Sequence, residues 1–216
     1  MFLPLVFKAA GMRCLIIGGG EVAWHKLELL MAMDCAVTII SPRIHNGIQG
    51  AVEARGVRWI AREFCGGDCR GYQLVIAATE RREVNRAVFD ESKSLCIPVN
   101  VVDDPELCTV IFPAVWRQGP LTISVSTEGV APYMAAAVRD RLALHGAPLA
   151  RWVETAAKFR TAVRSELNDW HEKNLLYWQF VDAIQPGDPP DPPEGKKLSD
   201  WMEWLEKLRE SKASEQ

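Results

Sequence analysis

The sequence predicts an α/β protein built on a doubly wound parallel sheet, and three observations carry that expectation. Apolar strand-like runs alternate with helical stretches through the first half of the chain. The second of these runs, AVTIIS at 36–41, is continuously apolar rather than alternating, as strands covered on both faces are. Three consecutive glycines, Gly18, Gly19 and Gly20, separate the first strand from the first helix, where a plain turn needs one. The proportions agree: 216 residues, 48% hydrophobic and 25% charged, suit one full core and a smaller second unit.

Taken in order, the opening MFLPLVFKAAG is apolar but lacks a basic leader and a small-residue cleavage site, so it reads as an edge strand rather than a signal peptide. RCLIIG (13–18) is the first strand, and the helix after it runs from Glu21 to Met33 with Val22, Leu27, Leu30 and Met31 apolar. AVTIIS is the second strand, a weaker helix covers 44–55, and VRWIAR is the third strand. YQLVIAAT (72–79), a helix over Arg82–Ser92 and IPVNVV (97–102) complete the alternation. Right-handed crossovers turn this order into an open sheet with helices on both faces.

Beyond Asp104 the rhythm changes. TVIFPAVWRQGPLTISVST reads as a hairpin turning at Gln118-Gly119-Pro120, and Pro132 suits the first turn of a helix reaching about Leu144. From Pro148 to Ile184 the residues Trp152, Ala156, Phe159, Val163, Leu167, Trp170, Tyr177, Val181 and Ile184 recur at three- and four-residue steps, one apolar face for packed helices. QPGDPPDPPEG (185–195), with five prolines, reads as a stiff linker, and LSDWMEWLEKLRE as a short amphipathic helix with Ser199 as its N-cap.

Charge narrows the partners. A net charge of −3 without a long basic run disfavours nucleic acid, and no apolar run approaches the roughly 20 residues of a membrane span. With no export signal, a cytoplasmic protein with six reduced cysteines is expected. Cys65 and Cys69 in CGGDC suggest a metal pair, but no further Cys or His pair completes a set, so no metal site is expected.

Gly18-x-Gly20-x-x-Ala23 matches the dinucleotide fingerprint in its strand-to-helix setting. The first glycine permits the turn, the second lets a pyrophosphate approach, and the small third residue lets helix lie on strand. The N–H groups at the helix start, Glu21 and Val22, would face the phosphates. The second strand ends Ser41-Pro42-Arg43, without the acid that NAD sites carry there, and Arg43 could take a 2′-phosphate; these residues leave NAD and NADP equally open. Thr79, closing VIAAT, either lines a pocket or caps the next helix. Asn100, Asp103 and Asp104 lie at the carboxyl end of the fifth strand, where open sheets bind ligands. An Asp there can act as a general base, or the acid pair can be a solvated turn before Pro105.

Together, LPL (3–5), GGGEVAWHK (18–26), LVIAAT (74–79), VNRAVF (84–89), IPVNVVDDPELC (97–108), FPA (112–114), and GPLTISVST followed by Pro132 and VRDRL resemble one family in order and spacing. It is the precorrin-2 dehydrogenase/sirohydrochlorin ferrochelatase family, the N-terminal module of sirohaem synthases. The resemblance covers roughly residues 1–145. It implies NAD-dependent oxidation of precorrin-2 to sirohydrochlorin, followed in some members by insertion of Fe2+ as a substrate to give sirohaem. It also implies a homodimer, with a Rossmann-type domain over 1–112, a strand-and-helix dimerisation segment over 113–145 and a small helical domain over 146–184. Residues 185–197 and 198–216, the linker and terminal helix, look like an addition to that core, with partner docking and passive packing both open.

By the same resemblance NAD is held by Gly18, Gly19, Gly20, Glu21, Val22, Ala23, Thr79 and Asn100, with Pro42 and Arg43 at the adenosine end. Asp103 is the implied catalytic base, able to accept a proton both in dehydrogenation and in metal insertion. The polycarboxylate substrate calls for cations, for which Arg117, Arg139 and Arg141 are candidates, with Thr127 supplying a hydroxyl. The loop at 127–132 departs from the family: Glu128 replaces a glycine and Ala131 a serine, which adds charge and removes a donor beside a polyanion site. Two other readings are a regulatory NAD(H)-binding domain without catalysis and a different Rossmann oxidoreductase; NVVDDPELC speaks against both.

Overall fold

Continuous apolar strands require cover on both faces, and the structure, a computed structural model describing residues 1–185, 187–195 and 197–214, provides it. The strands β1 (Arg13–Ile17), β2 (Ala36–Ile40), β3 (Arg58–Ile60), β4 (Leu74–Ala77) and β5 (Val99–Val101) are parallel, in the order β3-β2-β1-β4-β5. The helices α1 (Glu21–Met31), α2 (Asn46–Arg55) and α3 (Arg82–Ser94) lie between them in the chain. Alternate residues of β1 point to opposite faces. Cys14 and Ile16 pack with Leu27, Leu30 and Ile48 of α1 and α2, whereas Leu15 and Ile17 pack with Val88 and Phe89 of α3. Each fully buried Leu or Ile of that central strand contributes about 1.5–3 kcal/mol.

The chain divides into two compact units, 1–112 and 113–216. The second opens with an antiparallel pair, β6 (Ala114–Gln118) and β7 (Leu121–Val125), with Gln118 opposite Leu121. Three helices follow: α4 (Pro132–Glu166), α5 (Trp170–Asp182) and α6 (Leu198–Ser214).

Four expectations are corrected. The opening run is not an edge strand: residues 1–9 have no regular structure, Leu3, Leu5, Val6 and Phe7 are exposed, and Pro4 has no N–H to give a ladder. Pro148 does not separate two helices. α4 is one helix of 35 residues, so the expected border at 145/146 falls inside it. A mid-helix proline normally costs about 3 kcal/mol, but tertiary packing holds this segment. Trp116 of β6 lies over Gly146, where a Cβ would come within 2.5 Å of the indole, so the small residues that resemble a helix end make room for a ring.

The apolar face expected through Ile184 is interrupted. α4 ends at Glu166, and the Asp169 side chain accepts from Glu172 N at 2.9 Å to start α5, which resets the helical phase. Trp170 and Val181 therefore come out exposed, while Trp152, Phe159 and Val163 are buried.

Of the two roles left open for the terminal helix, the structure shows packing, and it is packing into a core rather than onto a surface. Trp201 and Leu205, both 1% exposed, pack with Trp152, Phe159 and Phe180. The proline-rich segment is tied down along its length: Trp152 Nε1 donates to Gly187 O, Trp204 Nε1 to Asp191 O (both 3.0 Å) and Gln185 Nε2 to Leu208 O (2.8 Å). Ser199 lies inside α6 and bonds Asp200; the first N–H of the helix, on Leu198, donates to Glu166 Oε1 at 2.6 Å. Of the expected linker and terminal helix, Pro186, Lys196, Glu215 and Gln216 lie outside the described residues. Among the described residues no helix is long and apolar enough to cross a membrane.

Candidate active site

The three glycines fill the whole connection from β1 to α1, and each has its own reason to be there. Gly18 has φ +117°, and a Cβ on it would run into the carbonyl of Ala78. A Cβ on Gly19 would meet the Arg43 carbonyl and the Ser41 hydroxyl, while its own carbonyl accepts from His45 N at 2.7 Å. At Gly20 nothing lies within 4 Å of the Cβ position, and no side chain caps α1 there. Two glycines are thus required by the protein's own backbone, and the third leaves space before the N–H groups of Glu21 and Val22. Unsatisfied donors at the positive end of a helix, with room in front of them, fit a pyrophosphate. Ala23, fully buried, lets α1 lie against the sheet.

A cleft of about 570 Å³ opens at this loop. Pro42, Arg43 and His45 from the end of β2 wall one side, Thr79, Glu80 and Arg81 from the end of β4 the other, and Glu63 and Phe64 reach it from beyond β3. Thr79 takes the first of the two roles left open for it; the N-cap of α3 is Arg81, without a side-chain cap bond. Thr79 lines the cleft, and its hydroxyl donates to Asn85 Oδ1 at 2.7 Å while accepting from Arg81 N at 3.2 Å, fixing the start of α3. Asn85, which sequence reasoning passed over, is 7% exposed and returns the contact by donating to Thr79 O at 2.9 Å. A polar residue on the inward face of an otherwise apolar helix start was the available signal.

Asn100, expected to contact the cofactor, does not line this cleft. Val99 and Val101 pack on the α3 side, so strand alternation turns Asn100 to the opposite face, where its amide donates to Val110 O at 3.0 Å. It lines neither this cleft nor the next.

A second cleft, of about 680 Å³, lies past β5 and is lined by Glu80, Arg82, Asn85, Asp103, Asp104 and Glu106 among others. The backbone distinguishes the two adjacent aspartates. Asp103 adopts φ 59°, a left-handed conformation that Asp tolerates better than most residues. The turn is braced by Cys108, whose Sγ donates to Val101 O at 3.2 Å and accepts from Val101 N at 3.2 Å. Asp104 pairs with Arg82 at 3.3 Å. Asp103 is exposed to the cleft, and among the described residues its carboxylate has neither a hydrogen bond nor an ion pair. Lys26 is a second residue missed from sequence: its ammonium sits 4.5 Å from the Phe112 ring centre. Burial pulls it below the ordinary lysine pKa, against the opposing influence of Cys108 and Asp103.

Cys65 is exposed, whereas Cys69 is buried with its thiol pushed up to about 12 by desolvation. Among the described residues no group of three or more His, Cys, Asp or Glu is placed to hold a metal ion.

The remaining candidates belong to the second unit. Thr127 accepts from Ala131 N at 3.2 Å and so fixes the approach to α4; Glu128 beside it has φ 53°. Arg117 donates to Thr122 Oγ1 at 3.1 Å, Arg139 pairs with Asp140 at 2.6 Å, and Arg141 is exposed on α4.

Comparison with known proteins follows the same division. Residues 5–114 match a family model described as putative NAD(P)-binding, and residues 118–145 one described as sirohaem biosynthesis protein central. The chain is 39% identical over 180 residues to a siroheme synthase of Methylobacillus flagellatus, covering 83% of this chain and 38% of that protein. It is 36% identical over 188 residues to a siroheme synthase of Pseudomonas putida, covering 83% and 39%. The chain therefore spans about two fifths of the length of these relatives. Among solved structures, one titled SirC, precorrin-2 dehydrogenase, superposes with a TM-score of 0.69 at 16% identity, covering 97% of this chain and all of that one, a likeness of fold.

Proposed function

The chain belongs to the NAD(P)-binding family of sirohaem biosynthesis, and from that membership we propose that it oxidises precorrin-2 to sirohydrochlorin with NAD+. The observation that carries the reading is the contrast between neighbouring acids: Asp104 is committed to Arg82, whereas the Asp103 carboxylate faces the cleft that follows β5 with no hydrogen bond or ion pair among the described residues. Dehydrogenation takes a hydride and a proton from the substrate. Bound NAD+ supplies the hydride acceptor, and Asp103 accepts the proton on a carboxylate oxygen. Gly20 and the N–H groups of Glu21 and Val22 would hold the pyrophosphate, and Pro42 and Arg43 would flank the adenosine. The Thr79–Asn85 pair fixes the wall between the two clefts. Juxtaposition of ring and cofactor contributes the rest of the rate through proximity.

Four carboxylates, Glu80, Asp103, Asp104 and Glu106, line the second cleft against one cation, Arg82. For the acid groups of a polycarboxylate substrate, Arg117, Arg139 and Arg141 remain the proposed cations and Thr127 the proposed hydroxyl contact. Met134, Val138, Leu142, Leu149 and Val153 are exposed along α4 at four- and seven-residue steps, the stripe a second copy would cover in a homodimer. Insertion of Fe2+ into the product is the finer part of the proposal, with Asp103 taking the pyrrole protons.

The test is an anaerobic assay of the purified chain with precorrin-2 and NAD+, read by absorbance. NADH and sirohydrochlorin appearing in equal amounts support the reading, and their absence in a chain that binds NAD+ contradicts it. Later addition of Fe2+ assigns the chelatase step if sirohaem forms faster than in a protein-free control.

A further inference from the structure

We propose that Glu63 sets the cofactor preference: its carboxylate accepts from the adenosine ribose hydroxyls in place of the acid missing from the end of β2, and thereby excludes a 2′-phosphate. This rests on the NAD reading above and names the residue responsible for it. Dinucleotide sites that select NAD ordinarily carry a carboxylate at the end of the second strand. Here that strand is followed by Ser41, Pro42 and Arg43, and the Ser41 hydroxyl already donates to Arg43 O at 2.7 Å. The only nearby charge from β2 is the Arg43 side chain, which by itself would favour a 2′-phosphate.

The sheet order supplies the substitute. β3 pairs with β2 through Ile60 opposite Ile40, so the chain leaving β3 emerges beside the chain leaving β2. Glu63, three residues past β3, lines the same cleft as the glycine loop, Pro42 and Arg43. The other carboxylate lining that cleft, Glu80, follows β4, which is not hydrogen-bonded to β2.

The position of Glu63 is built rather than incidental. Arg62 clamps Asp68 with two hydrogen bonds of 2.6 and 2.7 Å and donates to the carbonyl of Glu63 itself at 2.9 Å. Arg81 Nη1 lies 3.1 Å from Glu63 Oε1 and holds the carboxylate at the cleft wall. Phe64, next in sequence, adds an apolar surface to the same cleft. An anion fixed there accepts two ribose hydroxyls and repels the dianionic 2′-phosphate, which an exposed arginine opposite would otherwise attract.

The experiment measures NAD+ and NADP+ dissociation constants by calorimetry for the full chain, Glu63→Gln and Arg81→Gln, with no second substrate present. The expected result is a wild-type preference for NAD+ that falls about tenfold in Glu63→Gln, through weaker NAD+ and tighter NADP+ binding. Arg81→Gln, which keeps the carboxylate, retains the sign of the preference. The Glu63 side chain is 69% exposed, so the isosteric change leaves the melting temperature in place. An unchanged preference in Glu63→Gln, or a wild-type preference for NADP+, overturns the assignment. Failure of the wild-type chain to bind either nucleotide overturns this assignment and the NAD reading together, whereas tight NAD+ binding without precorrin-2 oxidation leaves Glu63 standing and sinks only the substrate.

Discussion

The first unit buries aliphatic side chains whose neighbours are dictated by sheet register, whereas the second buries rings whose neighbours come from three helices. In the first, Ile16 meets Ile39 and Ile76 because the strands on either side of β1 pair in register. In the second, Phe159 of α4, Phe180 of α5 and Trp201 of α6 meet only after the proline-rich segment has brought the chain back. Phe159 stacks on Phe180 with ring centres 5.1 Å apart and lies 5.5 Å from Trp201. A core of the first kind is set by strand register. One of the second kind depends on three successive helices closing on one another, and loss of its last helix exposes the others.

The largest expected effect therefore sits at the end of the chain. Trp201→Ala removes a ring that touches both Phe159 and Trp204, and should destabilise the second unit by about 3–5 kcal/mol in denaturant unfolding. The NAD+ affinity of the first unit should survive. Unchanged unfolding would mean that α6 only decorates the surface.

The glycine loop gives the next contrast, within the first unit. Gly18→Ala places a Cβ against the Ala78 carbonyl at a positive φ and should cost about 2 kcal/mol or more of stability. Gly20→Ala has open space and an ordinary φ of −80°, so the melting temperature should hold while dinucleotide affinity falls about tenfold. Equal effects on stability would remove the distinction between the two glycines.

The smallest effect sharpens the comparison between units. All six cysteines lie in the first unit, so thiol labelling reports on it alone. Burial pushes Cys14 and Cys69 up to about 12, which keeps both protonated at pH 8, while Cys65 and Cys96 are exposed. Cys65 and Cys96 should react first with a chromogenic disulfide. Cys14 and Cys69 should stay protected even in Trp201→Ala, and their early labelling would show that the two units unfold as one.

The sheet and the glycine turn were legible because their signals are local: apolar runs of strand length, and small residues at fixed spacing beside a helix start. Asn100 was misplaced because its neighbours in sequence mark a strand end, while which face it occupies depends on the packing of Val99 and Val101. The helix expected to end near Leu144 and the one expected from Pro148 are a single helix, and Trp116, thirty residues before Gly146, occupies the space that glycine leaves. Packing and partner docking stayed open for the terminal helix because a proline run usually separates, and here its carbonyls are instead acceptors for Trp152 and Trp204. Glu63 was invisible for a similar reason: only the pairing of β3 with β2 brings it to the cofactor cleft.

Asp103, and not its neighbour, is proposed to take the substrate proton. The most direct measurement is anaerobic turnover of precorrin-2 by Asp103→Asn and Asp104→Asn, alongside NAD+ dissociation constants for both. The account predicts that Asp103→Asn loses about 100-fold or more in turnover with NAD+ affinity unchanged, and that Asp104→Asn loses far less. Wild-type turnover by Asp103→Asn would contradict it.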